Sequence, residues 1–331
     1  MATSLLKSIV QAFPQKHLRL AFAYGSGVFQ QQNGKDKSKN MVDFIFVVDE
    51  PILWHEENLA IHSSHYSSLK YLGPSKIATI QEKLGAYVYF NTLVPFQDRT
   101  IKYGVISQKD FINDLMDWET LYVSGRLHKP VDVVHRRMNG ALQTAMQANL
   151  QSAVHTALLT LSDCFTEEEF YMAITGLSYS GDFRMHLAED SSKVSNIVLP
   201  NIEQFRQLYE PILDNEDHLY WDKNNGTMEQ SLSHVSRFHH LNLLPKCVLL
   251  NVISHLNRDG RYRDFEEVVD KVAHRSDCSD VIQESVKNIV SKSSLSQSIK
   301  GLATAGFRKS FWYSLAKVKK KLKSKKKVDA D

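Results

Sequence analysis

Gly25-Ser26-Gly27 places a serine between two glycines directly after an apolar segment that ends at Tyr24 (LRLAFAY, 18–24). A turn of this kind leaves backbone N–H groups to meet an anion, adds a hydroxyl donor, and has no Cβ to block close approach. Asp43 stands alone inside the next apolar run, MVDFIFVV (41–48). A lone carboxylate is costly to bury unless backbone donors or a lysine satisfy it, or unless it holds a cation. In the second case it becomes a magnesium ligand facing phosphates cradled by the Tyr24–Gly27 turn. That chemistry is transfer of a phosphorylated group. Taken singly, the glycines are only a turn and Asp43 only a satisfied buried acid.

Basic side chains decide how much phosphate such a site could hold. Lys102 falls inside the strand-like TIKYGVIS (100–107), as a phosphate ligand or as the gatekeeper of an edge strand. Arg126, His128 and Lys129 cluster in GRLHKP, to contact phosphate or to complement the end of a helix. Arg184 and Asp182, in SGDFRM, read either as a local ion pair or as a phosphate grip beside a second metal ligand. His55, His62 and His65 have no cysteine partners and no HExxH frame. They read as pocket lining, or as hydrogen-bonding posts for the loop after the second strand.

The elements that must position these residues follow from periodicity. Residues 5–13 supply a helix whose Leu5, Leu6, Ile9, Val10 and Phe13 pack onto the body. Strands are expected at 18–28, running into the glycine turn, and at 41–48, 85–94 and 100–107. A polar loop is expected at 30–40, and a helix or ordered loop at 53–70 after Pro51. The spacing predicts a helix over 109–125, with Leu115, Trp118 and Tyr122 on one face and Gly125 as its cap. Residues 131–162 read as one amphipathic stretch, Thr166 and Glu169 as a capping box, 201–213 as a helix and 229–290 as helical.

Composition removes other classes. An apolar content of 43% with 10% aromatics suits a folded core rather than disorder. No run approaches the roughly 18–20 apolar residues of a membrane span. Cys164, Cys247 and Cys278 lie far apart, so a reducing compartment is expected. The N-terminus lacks the cleavage site of a secretory signal and the arginines of a transit peptide.

The net charge of +3 conceals a strong asymmetry. Residues 1–284 carry 27 basic and 35 acidic side chains, a net of −8, whereas residues 285–331 carry 13 and 2, a net of +11. In that tail Ala303, Phe307, Phe311, Leu315, Val318 and Leu322 recur on one helical face, flanked by Trp312 and Tyr313. Lysines crowd the end, Lys317 and Lys320 among them. An apolar and aromatic stripe with a basic face is what an interfacial helix buries among anionic headgroups. Nucleic acid is the alternative polyanion, which the stripe disfavours.

A strand, a Gly-Ser turn and a strand bearing Asp is the layout of polymerase-β-like nucleotidyltransferases. Those enzymes space two carboxylates as Asp-x-Asp, and here the second position is Ile45. More specifically, AFAYGSGVFQQ, MVDFIFVV, WHEEN (54–58), HYS (65–67), GAYVYFNT, IKYGVIS, LYVSGRLHKPV (121–131), FTEEEFY (165–171), GLSYSGDFRM (176–185) and TAGFRKS (304–310) run in one order. Together, over about 18–320, the chain resembles the mitochondrial CDP-diacylglycerol synthases, also called the translocator assembly and maintenance family. The resemblance implies an α+β protein. Its parts would be a polymerase-β-like domain (1–115), a mainly helical, winged-helix-like domain (116–290) that completes the nucleotide pocket, and a basic amphipathic membrane-associating tail (291–331). It implies Mg²⁺-dependent transfer of CMP from CTP to phosphatidate, giving CDP-diacylglycerol and pyrophosphate for cardiolipin and phosphatidylglycerol synthesis. The protein would be peripheral, on the matrix side of the mitochondrial inner membrane. By the same resemblance Gly25, Ser26 and Gly27 match the phosphate turn and Asp43 the metal-binding aspartate. The competing classes are a nucleotidyltransferase acting on RNA or another substrate, with the tail as a nucleic-acid arm, and a non-catalytic membrane-bound scaffold.

Overall fold

The computed structural model describes residues 2–31, 40–187 and 192–305. Its first half is a five-stranded mixed sheet of β1 (Leu18–Tyr24), β2 (Val42–Val48), β3 (Tyr89–Phe96), β4 (Arg99–Ser107) and β5 (Asp132–Arg136). The order is β3-β4-β2-β1-β5, with β2 and β4 parallel and the other neighbours antiparallel. Around it stand α1 (Ala2–Gln11), α2 (Pro51–His62), α3 (Pro74–Lys83), α4 (Gln108–Asp117), α5 (Ser124–Leu127) and α6 (Gly140–Leu158).

The near-continuous apolar run of β2 reflects burial on both faces. Phe44 and Phe46 face a cluster that includes Leu6, Ile9, Val10, Phe13 and the Trp54 ring of α2, as expected for the N-terminal helix. Ile45 and Val47 face the other way, among Phe111 and Leu115 of α4 and Leu142 and Ala145 of α6.

The second half comprises α7 (Glu167–Leu177), α8 (Phe183–Leu187), α9 (Lys193–Val198), α10 (Ile202–Leu213), α11 (His234–Asn242), α12 (Lys246–Leu256), α13 (Phe265–His274) and α14 (Cys278–Ala305). A small antiparallel sheet joins them, β6 (Cys164–Thr166), β7 (Leu219–Asp222) and β8 (Thr227–Gln230), in the order β6-β8-β7. Thr166 and Glu169 form the expected capping box at the start of α7.

Several expectations need correction. Residues 131–162 are not one helix, because 132–136 pair with β1 as β5. Five residues are too few to reveal a period of two. The helix expected over 109–125 stops at Asp117, with Trp118 in the left-handed region (φ 53°). Asp114 draws the following chain around its carboxylate, accepting from the backbone N–H of Thr120, Val123 and Ser124 and from both hydroxyls. Gly125 therefore lies inside α5 and caps nothing. Residues 229–230, expected to open a helix, instead end strand β8.

The divisions expected at 115/116 and 290/291 fall inside α4 and α14. Helix α14 runs on past residue 291 and docks beside the first sheet. Gln297 accepts from the Ala86 N–H (2.8 Å) and donates to the Val88 carbonyl (3.2 Å). Lys300 Nζ donates to the carbonyls of Gln81 (2.9 Å) and Leu84 (2.8 Å). Both side chains look like tail surface in the sequence, yet both are spent on backbone groups more than 200 residues away. The tail residues Phe307, Phe311, Trp312, Lys317 and Lys320 lie outside the described residues.

Candidate active site

Strand pairing builds the site. Tyr24, the last residue of β1, is the register partner of Asp43 on β2, and Asp43 is the partner of Lys102 on β4. The gatekeeper reading of Lys102 is corrected by the strand order, since β4 lies between β3 and β2. Lys102 Nζ stands 3.5 Å from Asp43 Oδ1 and 4.3 Å from the centroid of the Phe90 ring. Both side chains keep about a fifth of their surface open, 18% for Lys102 and 22% for Asp43, so solvent or a ligand can reach the pair.

The glycine turn is a single 3₁₀ turn, Gly25–Gly27, closed by the N–H groups of Val28 and Phe29 donating to the Gly25 carbonyl. Gly25 has φ +79°, and a Cβ there would lie 3.7 Å from Asp43 Oδ2. A Cβ on Gly27 would meet the Met41 carbonyl oxygen at 2.5 Å. The turn is thus held against the start of β2, with the Asp43 carboxylate beside it. Asn40 Nδ2 donates to the Ser26 carbonyl and fixes the far end of the loop.

A second layer of cations comes from α5, the residues just after it, and α8. The Arg126 guanidinium lies 3.8 Å from the Tyr122 ring centroid and 5.3 Å from that of Tyr24, and it donates to the Tyr122 carbonyl. Lys129 Nζ donates to the Gly125 carbonyl and to Ser178 Oγ (2.8 Å), and lies 5.1 Å from the Tyr179 ring centroid. Gly125 makes this junction possible, because a Cβ there would fall 2.4 Å from Ser178 Cβ. Arg184 pairs with Asp182 through Nε (2.9 and 3.1 Å) and Nη2 (2.5 Å). The local ion pair is therefore the geometry adopted, with Asp182 only 3% exposed and both its oxygens engaged.

Electrostatics show these cations converging. Burial would push the Tyr122 phenol up, but Arg126, Lys102 and Arg184 outweigh it and hold the phenol below its ordinary range. Burial wins at Tyr24, whose phenol is raised despite Lys102 and Arg126. Burial, with Arg126 nearby, pushes the Lys129 ammonium down to about 7. The Tyr24 hydroxyl and Arg126 Nε are both shut off from solvent, on side chains that face each other.

His128 does not join the cluster. Its ring is fully buried, with Nε2 3.1 Å from Asn149 Oδ1, and burial followed by the charge of Lys129 pushes it down to about 3. Trp118 Nε1 donates to the same oxygen, Asn149 Nδ2 donates to the Ser124 carbonyl, and the Tyr209 hydroxyl donates to the His128 carbonyl. These bonds pin α5 to α6 and α10, and so aim Arg126 and Lys129. His55 likewise serves structure. It lies within 2.8 Å of the Tyr66 hydroxyl and 2.9 Å of Gln81, and burial pushes it down to about 4.

The sequence reading missed Tyr122, Ser178 and Tyr179. The signal was present in LYVSGR and LSYSG, where aromatic and small residues flank the basic and acidic ones. The packing of Gly125 on Ser178 and the Lys129–Ser178 bond show that the two segments meet.

Comparison with known proteins bears on the whole chain. The family described as "Phosphatidate cytidylyltransferase, mitochondrial" matches residues 6–320. Proteins of that name from Danio rerio (48% identity over 95% of this chain and 93% of its own length), Xenopus laevis (46%; 96% and 94%) and Mus musculus (46%; 95% and 94%) are similar to it almost end to end. A nucleotidyltransferase-like protein from Exiguobacterium sibiricum aligns with 91% of this chain and 78% of its own at 9% identity, but its TM-score of 0.25 is too low to bear on the fold. On the extent and identity of the curated matches, this chain belongs to the mitochondrial phosphatidate cytidylyltransferase family.

Proposed function

We propose that the chain transfers CMP from CTP to phosphatidate, releasing pyrophosphate and forming CDP-diacylglycerol for cardiolipin and phosphatidylglycerol synthesis. The observation that carries this reading is the pairing of Asp43 with Lys102 beside a glycine turn, with Lys102, Arg126 and Arg184 acting together on Tyr122, in a chain of this family. Two phosphorylated substrates need that surplus of positive charge. The nucleophile is the phosphate monoester of phosphatidate, whose second pKa is about 6, so it is largely dianionic at neutral pH. One of its oxygens attacks the α-phosphorus of CTP, and the bond from that phosphorus to the β-phosphate bridging oxygen breaks. No proton must be removed, so the demands are positioning and charge neutralisation.

Asp43 fits a magnesium site, because its carboxylate is partly open and faces a turn that no Cβ crowds. Mg²⁺ is commonly held by one or two carboxylates together with substrate phosphates, which accommodates Ile45 where a second acid is usual. When bound, Mg²⁺ would neutralise triphosphate charge and orient the α-phosphate. Lys102, beside Asp43, would meet the same phosphates from the strand side. Arg126 and Arg184 would meet phosphate from the helical side, and Lys129 would add a third cation there. Asp182 orients Arg184, and ligation of a metal by Asp182 would require that pair to open.

The polymerase-β-like and winged-helix-like descriptions of the two halves are part of this proposal, as is peripheral attachment through the basic tail to the matrix face of the inner membrane. Two findings support the location. The relatives' names are mitochondrial, and no helix among the described residues is long and apolar enough to cross a membrane. Incubating the purified chain with labelled CTP, Mg²⁺ and phosphatidate-containing liposomes tests the reaction. CDP-diacylglycerol and pyrophosphate in equal amounts are expected. Labelling of RNA in place of lipid would overturn the assignment.

A further inference from the structure

Away from the Asp43 site, four side chains from three separate elements aim donor atoms at one point. They are His155 of α6, Glu216 of the turn between α10 and β7, and His239 and His240 of α11. Their nearest ligand atoms all lie within 4.8 Å of one another. His155 Nδ1 and His240 Nδ1 are 3.1 Å apart, His155 Nδ1 is 3.5 Å from Glu216 Oε2, and His239 Nε2 is 3.9 Å from Glu216 Oε1. Four-coordinate zinc with bonds of about 2.0–2.1 Å sets its donor atoms about 3.3 Å apart. The observed spacings bracket that value.

Charge makes the same point. The Glu216 side chain is 6% exposed, and its ion-pairing partners among the described residues are the two imidazoles of His155 and His239. A buried carboxylate facing imidazole nitrogens is the mixed donor set that a divalent ion completes. The surroundings also orient the ligands. The His218 backbone N–H lies 3.3 Å from Glu216 Oε1, and its ring packs on His239 (4.6 Å) and His240 (5.7 Å). His240 Nε2 lies 3.4 Å from Ser236 Oγ, a partner for the ring N–H once Nδ1 gives its lone pair to a metal.

We infer that His155, Glu216, His239 and His240 form a second metal site, an N₃O set for a zinc-class divalent ion that ties α6, α11 and the α10–β7 turn together. His155 and His240 are the buried anchors, at 7% and 1% exposure, and His239, with 42% of its side chain exposed, lies at the solvent side where an ion enters. The ion is distinct from the magnesium proposed at Asp43, which has no imidazole ligand.

Metal content of the full chain decides the matter. Protein loaded with Zn²⁺ and passed through gel filtration is expected to retain one zinc per chain by mass spectrometry. Its Co²⁺ form should show the intense visible absorption of a four-coordinate site. His240→Gln and Glu216→Gln should lose both. His239→Ala changes an exposed side chain and so spares the fold, and it should weaken Co²⁺ binding about tenfold or more and alter the spectrum. Asp43→Ala should keep its zinc. So should His274→Ala, which removes one member of the exposed His234, Asp270 and His274 group that could also take up metal. Zinc retained equally by folded His239→Ala and wild type would overturn the inference, as would wild type that retains none or loss of zinc in Asp43→Ala.

Discussion

Asp43 and Lys102 lie on adjacent parallel strands, so each works in the other's field. Removing the carboxylate takes away the proposed cation ligand and the lysine's ion-pair partner. Asp43→Ala is therefore expected to lower kcat by about 10³-fold or more, equivalent to about 4 kcal/mol of transition-state stabilisation. Circular dichroism and the melting temperature should stay near wild type, because the side chain is partly open and anchors no core. A folded variant with near-normal turnover would remove Asp43 from the site. Lys129 gives the site a pH dependence. Its free ammonium is held down to about 7 by burial and by Arg126, and a bound phosphate would raise it again. A group whose pKa rises on binding strengthens binding fully below its free pKa, and the gain is lost as pH climbs through the bound-state value. The CTP dissociation constant should thus rise from about pH 7 upward, and Lys129→Met should flatten that trend. Calorimetry of both proteins across that range would show it, and parallel profiles would exclude Lys129.

Turns and helix ends decide how these residues come together. Gly27 leaves no room for a methyl group against the Met41 carbonyl. Gly27→Ala should push the turn off the start of β2, costing about 1–3 kcal/mol in stability and weakening CTP binding more than Gly140→Ala, at an open position. Unchanged binding would detach the turn from the nucleotide. Gln297 satisfies two backbone groups of the 86–88 segment, so Gln297→Ala should cost about 1–3 kcal/mol by leaving them unpaired, a loss read by urea denaturation. At this scale the sequence was informative where a local rule governs. The strands 41–48 and 100–107, the capping box and the N-terminal helix all follow from patterning or capping chemistry. It misled where one side chain overrides local pattern, as Asp114 does in ending α4, or where an element is as short as β5. Site residues supplied by strands were readable because apolar runs expose an odd charge. Tyr122, Ser178 and Tyr179 were not, because their role depends on a contact between segments some fifty residues apart, of which Lys129 to Ser178 is the direct bond.

For the molecule as a whole, the proposal assigns the nucleotide chemistry to the acidic body and the lipid surface to the basic tail. A chain that ends after residue 305 keeps every contact of α14 described above. It should therefore bind CTP nearly as well as the full chain while floating far less with vesicles of anionic lipid. Each near-surface lysine or arginine contributes about 1 kcal/mol on such a surface, so losing the ten beyond residue 305 should cut vesicle binding by orders of magnitude. An unchanged flotation profile would refute a membrane role for the tail.

The docking of α14 also governs when the molecule can fold. Strand β3 is the outermost strand of its sheet, and the helix that covers its approach is made some 200 residues later. During synthesis, or passage through a narrow pore N-terminus first, the five-stranded sheet would emerge with that flank bare. Contacts of such long separation form slowly, and an uncovered strand edge invites pairing with other chains. The protein should accordingly depend on holding chaperones until residue 300 is free, and chains stopped between about 110 and 290 should aggregate rather than fold.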